Sequence, residues 1–139
     1  MIIDVNVLLY AVDSTSAQND ACRSFIDQAL NSSTRVGFPW PTIVGFLRIA
    51  THPRIMTTPL SIDAAWGFVD DWMSTSVAWV PEPTRSHGAV LRELTRGVGG
   101  NLLPDAHLAA LAIEHGVPLV SCDTDFARFG AVTWINPTR

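Results

Sequence analysis

The feature that most constrains this chain is the shortness of its apolar strands and the abruptness with which helices follow them. "MIID" is a β-branched, apolar opening that meets an acid at Asp4, and "NVLLYAV" can start a helix directly after it. "TRVGFP", "VAWVPE", "PLVSC" and "AVTWINP" are strand stretches of the same brevity. Helical stretches lie between most of them. "SAQNDACRSFIDQALNSS" carries Ala21, Phe25, Ile26, Ala29 and Leu30 at helical spacing, with Ser16 as its cap. "PTIVGFLRIATH" stops before Pro53, and "SIDAAWGFVDDWMST" opens on Ser61, a good N-cap. "TRSHGAVLRELTRG" runs from Thr84 as cap to Gly97 as stop, and "PDAHLAALAIEHG" closes at Gly116. Short strands alternating with helices predict βαβ units around a mostly parallel sheet. The 139 residues suit one α/β domain, 1–139.

Several function classes are excluded early. No apolar run reaches the ~20 residues of a membrane span. The N-terminal stretch lacks a basic leader and holds Asp4, so no signal peptide is expected and the cytoplasm is the default location. Cys22 and Cys122 are too few for a disulfide framework and are not spaced as metal ligands, so they are expected as reduced core thiols. The net charge of −4 argues against sequence-blind nucleic-acid binding through a broad basic face. The chain has no lysine; all nine fixed cations are arginine. Schiff-base, P-loop and lysine-base mechanisms are therefore absent, while forked contacts to phosphate are available.

In a parallel sheet, ligands bind beyond the carboxyl ends of the strands. Asp4 ends the first strand, Asp123 follows "PLVSC", Asp125 lies two residues on, and Asp105 opens a helix after the glycine-rich loop "GVGGN". Asp4 stands in strongly apolar surroundings, where an acid needs a partner, and Asn6 is placed to hold it. Gathered aspartates raise one another's pKa unless a cation holds them. An all-carboxylate set without lysine or a fitting histidine pair points to Mg²⁺ or Mn²⁺, which can orient a water for in-line attack on phosphorus. Each acid has a plainer reading. Asp105 suits the positive end of a helix dipole, and Asp123 and Asp125 suit a turn.

"MIIDVNVLLYAVD", "LLPDAHLAALAIEHG" and "LVSCDTDFARF" resemble, in order and separation, the acidic motifs of the PIN domain. More narrowly they resemble VapC toxins of type II toxin–antitoxin pairs, and "PWPTIVGFLRIATHPRI" extends the likeness over nearly the whole chain. The resemblance implies an α/β/α sandwich and a Mg²⁺- or Mn²⁺-dependent endoribonuclease acting on structured RNA, a tRNA or a ribosomal RNA. It also implies a homodimer inhibited by a cognate VapB-type antitoxin. Asp4, Asp105 and Asp123 match the metal-binding acids and Asp125 a further one. Most PIN domains carry another acid where this chain has Gly45, and no acid lies between Asp27 and Asp63. That departure puts a second metal position in doubt and leaves open a catalytically weak PIN-like module that only binds RNA or a partner. A haloacid-dehalogenase-type phosphatase also begins with a strand ending in Asp, but it needs a second Asp where Asn6 stands, and a lysine.

Two surfaces are candidate contacts. Arg85, Arg92 and Arg96 form a stripe, since steps of seven and four return close to one helix face; they are either a solvated face or cations for RNA phosphate or antitoxin acids. In "IDAAWGFVDDWM" the apolar residues span an arc of about 160°, wider than a surface helix needs. Trp66 and Val69 are expected in the core, with Phe68 and Trp72 at the far edge facing a partner; the other reading is a deeply buried helix.

Overall fold

The computed structural model describes residues 1–139. Five two-residue strands form one parallel sheet: β1 (Ile2–Ile3), β2 (Val36–Gly37), β3 (Ala78–Trp79), β4 (Leu119–Val120) and β5 (Trp134–Ile135), in the order β3-β2-β1-β4-β5. Six helices connect and cover it: α1 (Val5–Val12), α2 (Asn19–Leu30), α3 (Trp40–Ala50), α4 (Ile62–Met73), α5 (His87–Leu94) and α6 (Leu103–Glu114). Ile2 pairs with Gly37 on one side and Leu119 on the other, so β1 is central.

Strand alternation divides the interior in two. Ile3, Val36 and Val120 join Val7, Ile26, Phe46 and Trp72 on the face covered by α1–α4. Ile2 and Leu119 join Ala109, Leu111 and Phe126 on the face covered by α6. The result is the α/β/α sandwich expected. Gly37 is required by packing: a Cβ there would lie 2.8 Å from the Trp79 ring. Gly116, at φ 64°, ends α6 in the left-handed region.

Ser61 caps α4, its hydroxyl accepting from the Ala64 amide at 3.1 Å. Two other helix starts differ from expectation. Ser16 precedes α2 by a turn, accepting from the Gln18 amide at 3.2 Å, and the helix begins at Asn19. Thr84 likewise precedes α5 by a turn, its hydroxyl accepting from the Ser86 amide at 3.2 Å and donating to Glu114 of α6 at 2.6 Å, while Glu114 also accepts from its amide at 2.9 Å. Helix α5 therefore begins at His87, whose Nδ1 pairs with Glu114 and whose Nε2 lies 3.0 Å from Nδ1 of His107. Burial pushes the Glu114 carboxyl up, but the bonds from Thr84 and His87 outweigh it and hold the group below the usual range.

That shorter helix breaks the arginine stripe. Arg85 precedes α5, Arg92 lies within it, and Arg96 follows it in an exposed pair with Glu93 at 2.7 Å. The three do not share a helical face.

The edge assignment of α4 is also corrected. Ala65, Val69 and Trp72 form its buried face, whereas Trp66 is 39% exposed. Trp72 stacks on Phe38 and meets Phe46 edge-on. Phe68 stays 37% exposed and, with Trp72, Ala11, Val12, Ile26 and Leu30, lines a groove of about 360 Å³ between α2 and α4.

Candidate active site

The acids gather because the chain returns to β1 late. The Asp4 amide still belongs to the sheet, donating to the Val120 carbonyl at 2.9 Å. Its side chain caps α1, accepting from the Val5 amide at 2.7 Å. Asp4 Oδ2 accepts from Ser121 Oγ at 2.7 Å and from Asn6 Nδ2 at 2.9 Å. Burial pushes the Asp4 carboxyl above its ordinary value, the Asp123 charge adds to this, and these hydrogen bonds oppose it.

Asn6 holds Asp4, as expected, and does more. Its Oδ1 accepts from the Cys122 amide at 3.0 Å, fixing the loop after β4. Asp123 caps the 3-10 turn Thr124–Arg128, accepting from the Asp125 amide at 2.8 Å. Asp125 is exposed and lies 3.4 Å from Arg128.

Asp105 caps nothing. It lies in the first turn of α6, yet no hydrogen bond holds its carboxyl. Burial pushes its pKa up to about 6, and the charges of Asp4, Asp123 and Asp125 push the same way. The capping roles belong to Asp4 and Asp123; Asp105 is the free carboxylate among them.

The cluster is open. No three carboxylates, imidazoles or thiols of the chain stand close enough together to hold a metal ion between them. An all-oxygen, mutually repelling set of this kind fits a hard cation such as Mg²⁺, which is held by one or two carboxylates and keeps several waters. Gly45 sits on α3 against α1, where a Cβ would lie 3.3 Å from Val5 Cγ2. A side chain there would press on the residue next to Asp4.

Ser121 is the site residue that sequence reasoning missed. It is fully buried, donates to Asp4, and accepts from Asn6 Nδ2 and the Asp123 amide, both at 3.0 Å. A polar residue ending the apolar run "PLVSC" was the available signal. Ser121→Ala is expected to cost about 2 kcal/mol, the scale of a buried hydrogen bond to a charged group. Because the lost bond favours ionised Asp4, the cost should be largest at neutral pH and shrink in acid. Urea denaturation at two pH values measures this.

This fold and acid arrangement define a PIN-type α/β protein, and the PIN domain family matches residues 1–132. The chain belongs to that family. It is 45% identical to "Ribonuclease VapC37" of Mycobacterium tuberculosis, over 98% of this chain and 96% of that one. It is 36% identical to "Ribonuclease VapC33" of the same species, over 100% and 99%. Among solved structures, VapBC2 from Rickettsia felis bound to a promoter DNA fragment shares the fold at TM-score 0.67 and 14% identity, covering 97% of this chain and 96% of that one. FitAB bound to a DNA fragment does so at TM-score 0.63 and 15% identity, covering 99% and 95%. No helix is long and apolar enough to cross a membrane.

Proposed function

We propose that the chain, as one PIN-like domain, is a Mg²⁺- or Mn²⁺-dependent endoribonuclease toxin that cuts structured RNA, a tRNA or ribosomal RNA, in the cytoplasm. The observation that carries this reading is Asp105, a carboxylate without a hydrogen bond that feels three other carboxylates at the carboxyl edge of a parallel sheet. The ribonuclease names of the similar proteins support it. Asp4, Asp105 and Asp123 would hold the metal, with Asp125 at the rim. The metal would supply charge neutralisation at phosphate and a more acidic water. Ser121, Asn6 and the Val5 amide orient Asp4, and the Cys122 amide bond to Asn6 keeps Asp123 alongside.

The protein acts as a homodimer restrained by a VapB-type antitoxin, whose apolar helix face would meet Phe68. Arg85, Arg92 and Arg96 are exposed and supply cations for RNA phosphate or antitoxin acids. The test is incubation of purified protein with total tRNA and ribosomal RNA in Mn²⁺ or EDTA, followed by end mapping. Cleavage only in Mn²⁺, with 5′-phosphate and 3′-hydroxyl ends, and none by Asp4→Ala, is expected. Ends bearing 2′,3′-cyclic phosphate would refute a metal-held water as the nucleophile. RNA binding without cleavage would favour the second reading, a binding module, for which Gly45 in place of an acid is the specific observation.

A further inference from the structure

Cys22 of α2 and Cys122 of the loop after β4 are remote in sequence, yet their sulfurs lie 3.5 Å apart. That is contact, with no room for an ion between them. Cys22 is fully buried and Cys122 half-buried, so the second is the one on the solvent side of the pair. Cys122 immediately precedes Asp123, and its amide donates to Asn6, which also holds Asp4. The thiol pair thus connects a rigid core helix to the candidate site.

We propose that Cys22 and Cys122 are an oxidation site, closed to a disulfide by hydrogen peroxide, and that this closure displaces Asp123 and turns the site off. The loss of cleavage rests on the ribonuclease reading; the disulfide does not. In the first step the Cys122 sulfur attacks a peroxide oxygen and the O–O bond breaks. Cys122 becomes a sulfenic acid, and the departing hydroxide takes up the thiol proton as water. In the second, the Cys22 sulfur attacks the sulfenic sulfur, the S–S bond forms, and the hydroxyl leaves as water with the Cys22 proton. Two thiols and one peroxide give one disulfide and two waters, with two electrons passing from sulfur to oxygen.

A disulfide bond is about 2.05 Å long, so the sulfurs must approach by about 1.5 Å. Cys22 is packed in the core among Val7, Ile26 and Val120. The loop therefore takes up most of the movement, and the Cys122–Asn6 bond and Asp123 move with it. Displacement of a reacting arrangement by about 1 Å can cost ~100-fold in rate. Burial pushes both thiols up, Cys122 to about 12.

The test uses full-length wild type and Cys22→Ala in millimolar hydrogen peroxide. Intact mass, denatured thiol count, amide NMR shifts and cleavage of an RNA that the reduced protein cuts are followed together. Wild type should lose two hydrogens and both thiols within one chain and yield a Cys22–Cys122 cross-linked peptide. The Asn6 and Asp123 amides should shift, and cleavage should fall at least tenfold and return with dithiothreitol. Cys22→Ala, which lacks the resolving thiol, should gain oxygen at Cys122 instead of losing two hydrogens, and should yield no cross-linked peptide. Two thiols persisting after prolonged exposure, or a bond formed only between chains, overturns the oxidation site. A disulfide that leaves both amides and cleavage unchanged overturns the switch. If reduced protein cuts no RNA, the ribonuclease reading fails, and mass, thiols and amide shifts still decide the disulfide and the displacement.

Discussion

Replacing Asp105 with Asn is expected to raise the metal-free melting temperature at pH 7.5 while abolishing RNA cleavage. Asp105 has a folded-state pKa raised to about 6, by burial first and then by its acidic neighbours. A raised folded pKa means that the folded protein binds the proton more tightly than the unfolded chain. The ionised group therefore opposes folding above pH 6, and this opposition fades as pH falls through 6 and vanishes below the ordinary carboxylate range. A shift of this size corresponds to about 3 kcal/mol; solvent screening of a half-buried group reduces it to about 1–2 kcal/mol. Asn keeps the shape and removes the charge, so a gain of about 5 °C is expected at pH 7.5, shrinking to nothing near pH 4. Millimolar Mn²⁺ should stabilise wild type by mass action and the variant much less. Thermal denaturation across pH, with and without Mn²⁺, measures both effects. Equal stabilisation of both proteins by metal, with Asn neutral or slightly worse beside the helix dipole, would return Asp105 to a helix-starting residue.

The second large effect lies in α4. Trp72→Ala should cost about 3–5 kcal/mol, the range for removing a large aromatic side chain from a core, because Trp72 is wedged between Phe38 and Phe46. That is a large part of the ~5–15 kcal/mol that holds a domain folded. Trp66→Ala, on the exposed face of the same helix, should change stability by about 0.5 kcal/mol or less. Phe68→Ser should leave the monomer folded and weaken antitoxin binding. Chemical denaturation of the three variants, with titration of the antitoxin, distinguishes them; comparable losses for Trp66→Ala and Trp72→Ala would contradict the packing.

These contrasts show what the sequence could carry. Strand positions were readable because β-branched runs ended at prolines and acids, and Asp4 was conspicuous as a charge inside an apolar segment. Ser61 was readable because a cap acts within its own turn. Trp72 was not, because an apolar arc of about 160° offers several faces and the choice depends on Phe38 and Phe46, which come from other elements. Thr84 and Ser16 are legible as turn residues, but not as turns that sit a step ahead of the helix, each accepting from the amide two residues on. Ser121 meant nothing until β4 was known to lie beside β1. Most local chemistry was legible in the residues themselves, whereas the packing of α4 and the role of Ser121 depended on partners distant in sequence.

The central place of β1 has a consequence for the chain as it is made. Of the five strands β1 is made first, and it has β2 on one side and must wait for β4, the fourth made, on the other. The bond from Ser121 to Asp4 closes a sequence separation of 117 residues, and domains of this kind fold as units during synthesis. A nascent chain therefore carries Asp4 with only its neighbours Val5 and Asn6 to hold it, and without Ser121, until β4 is made. Whatever chemistry the assembled acids perform is withheld from the ribosome producing them until β4 and the loop that follows it have emerged.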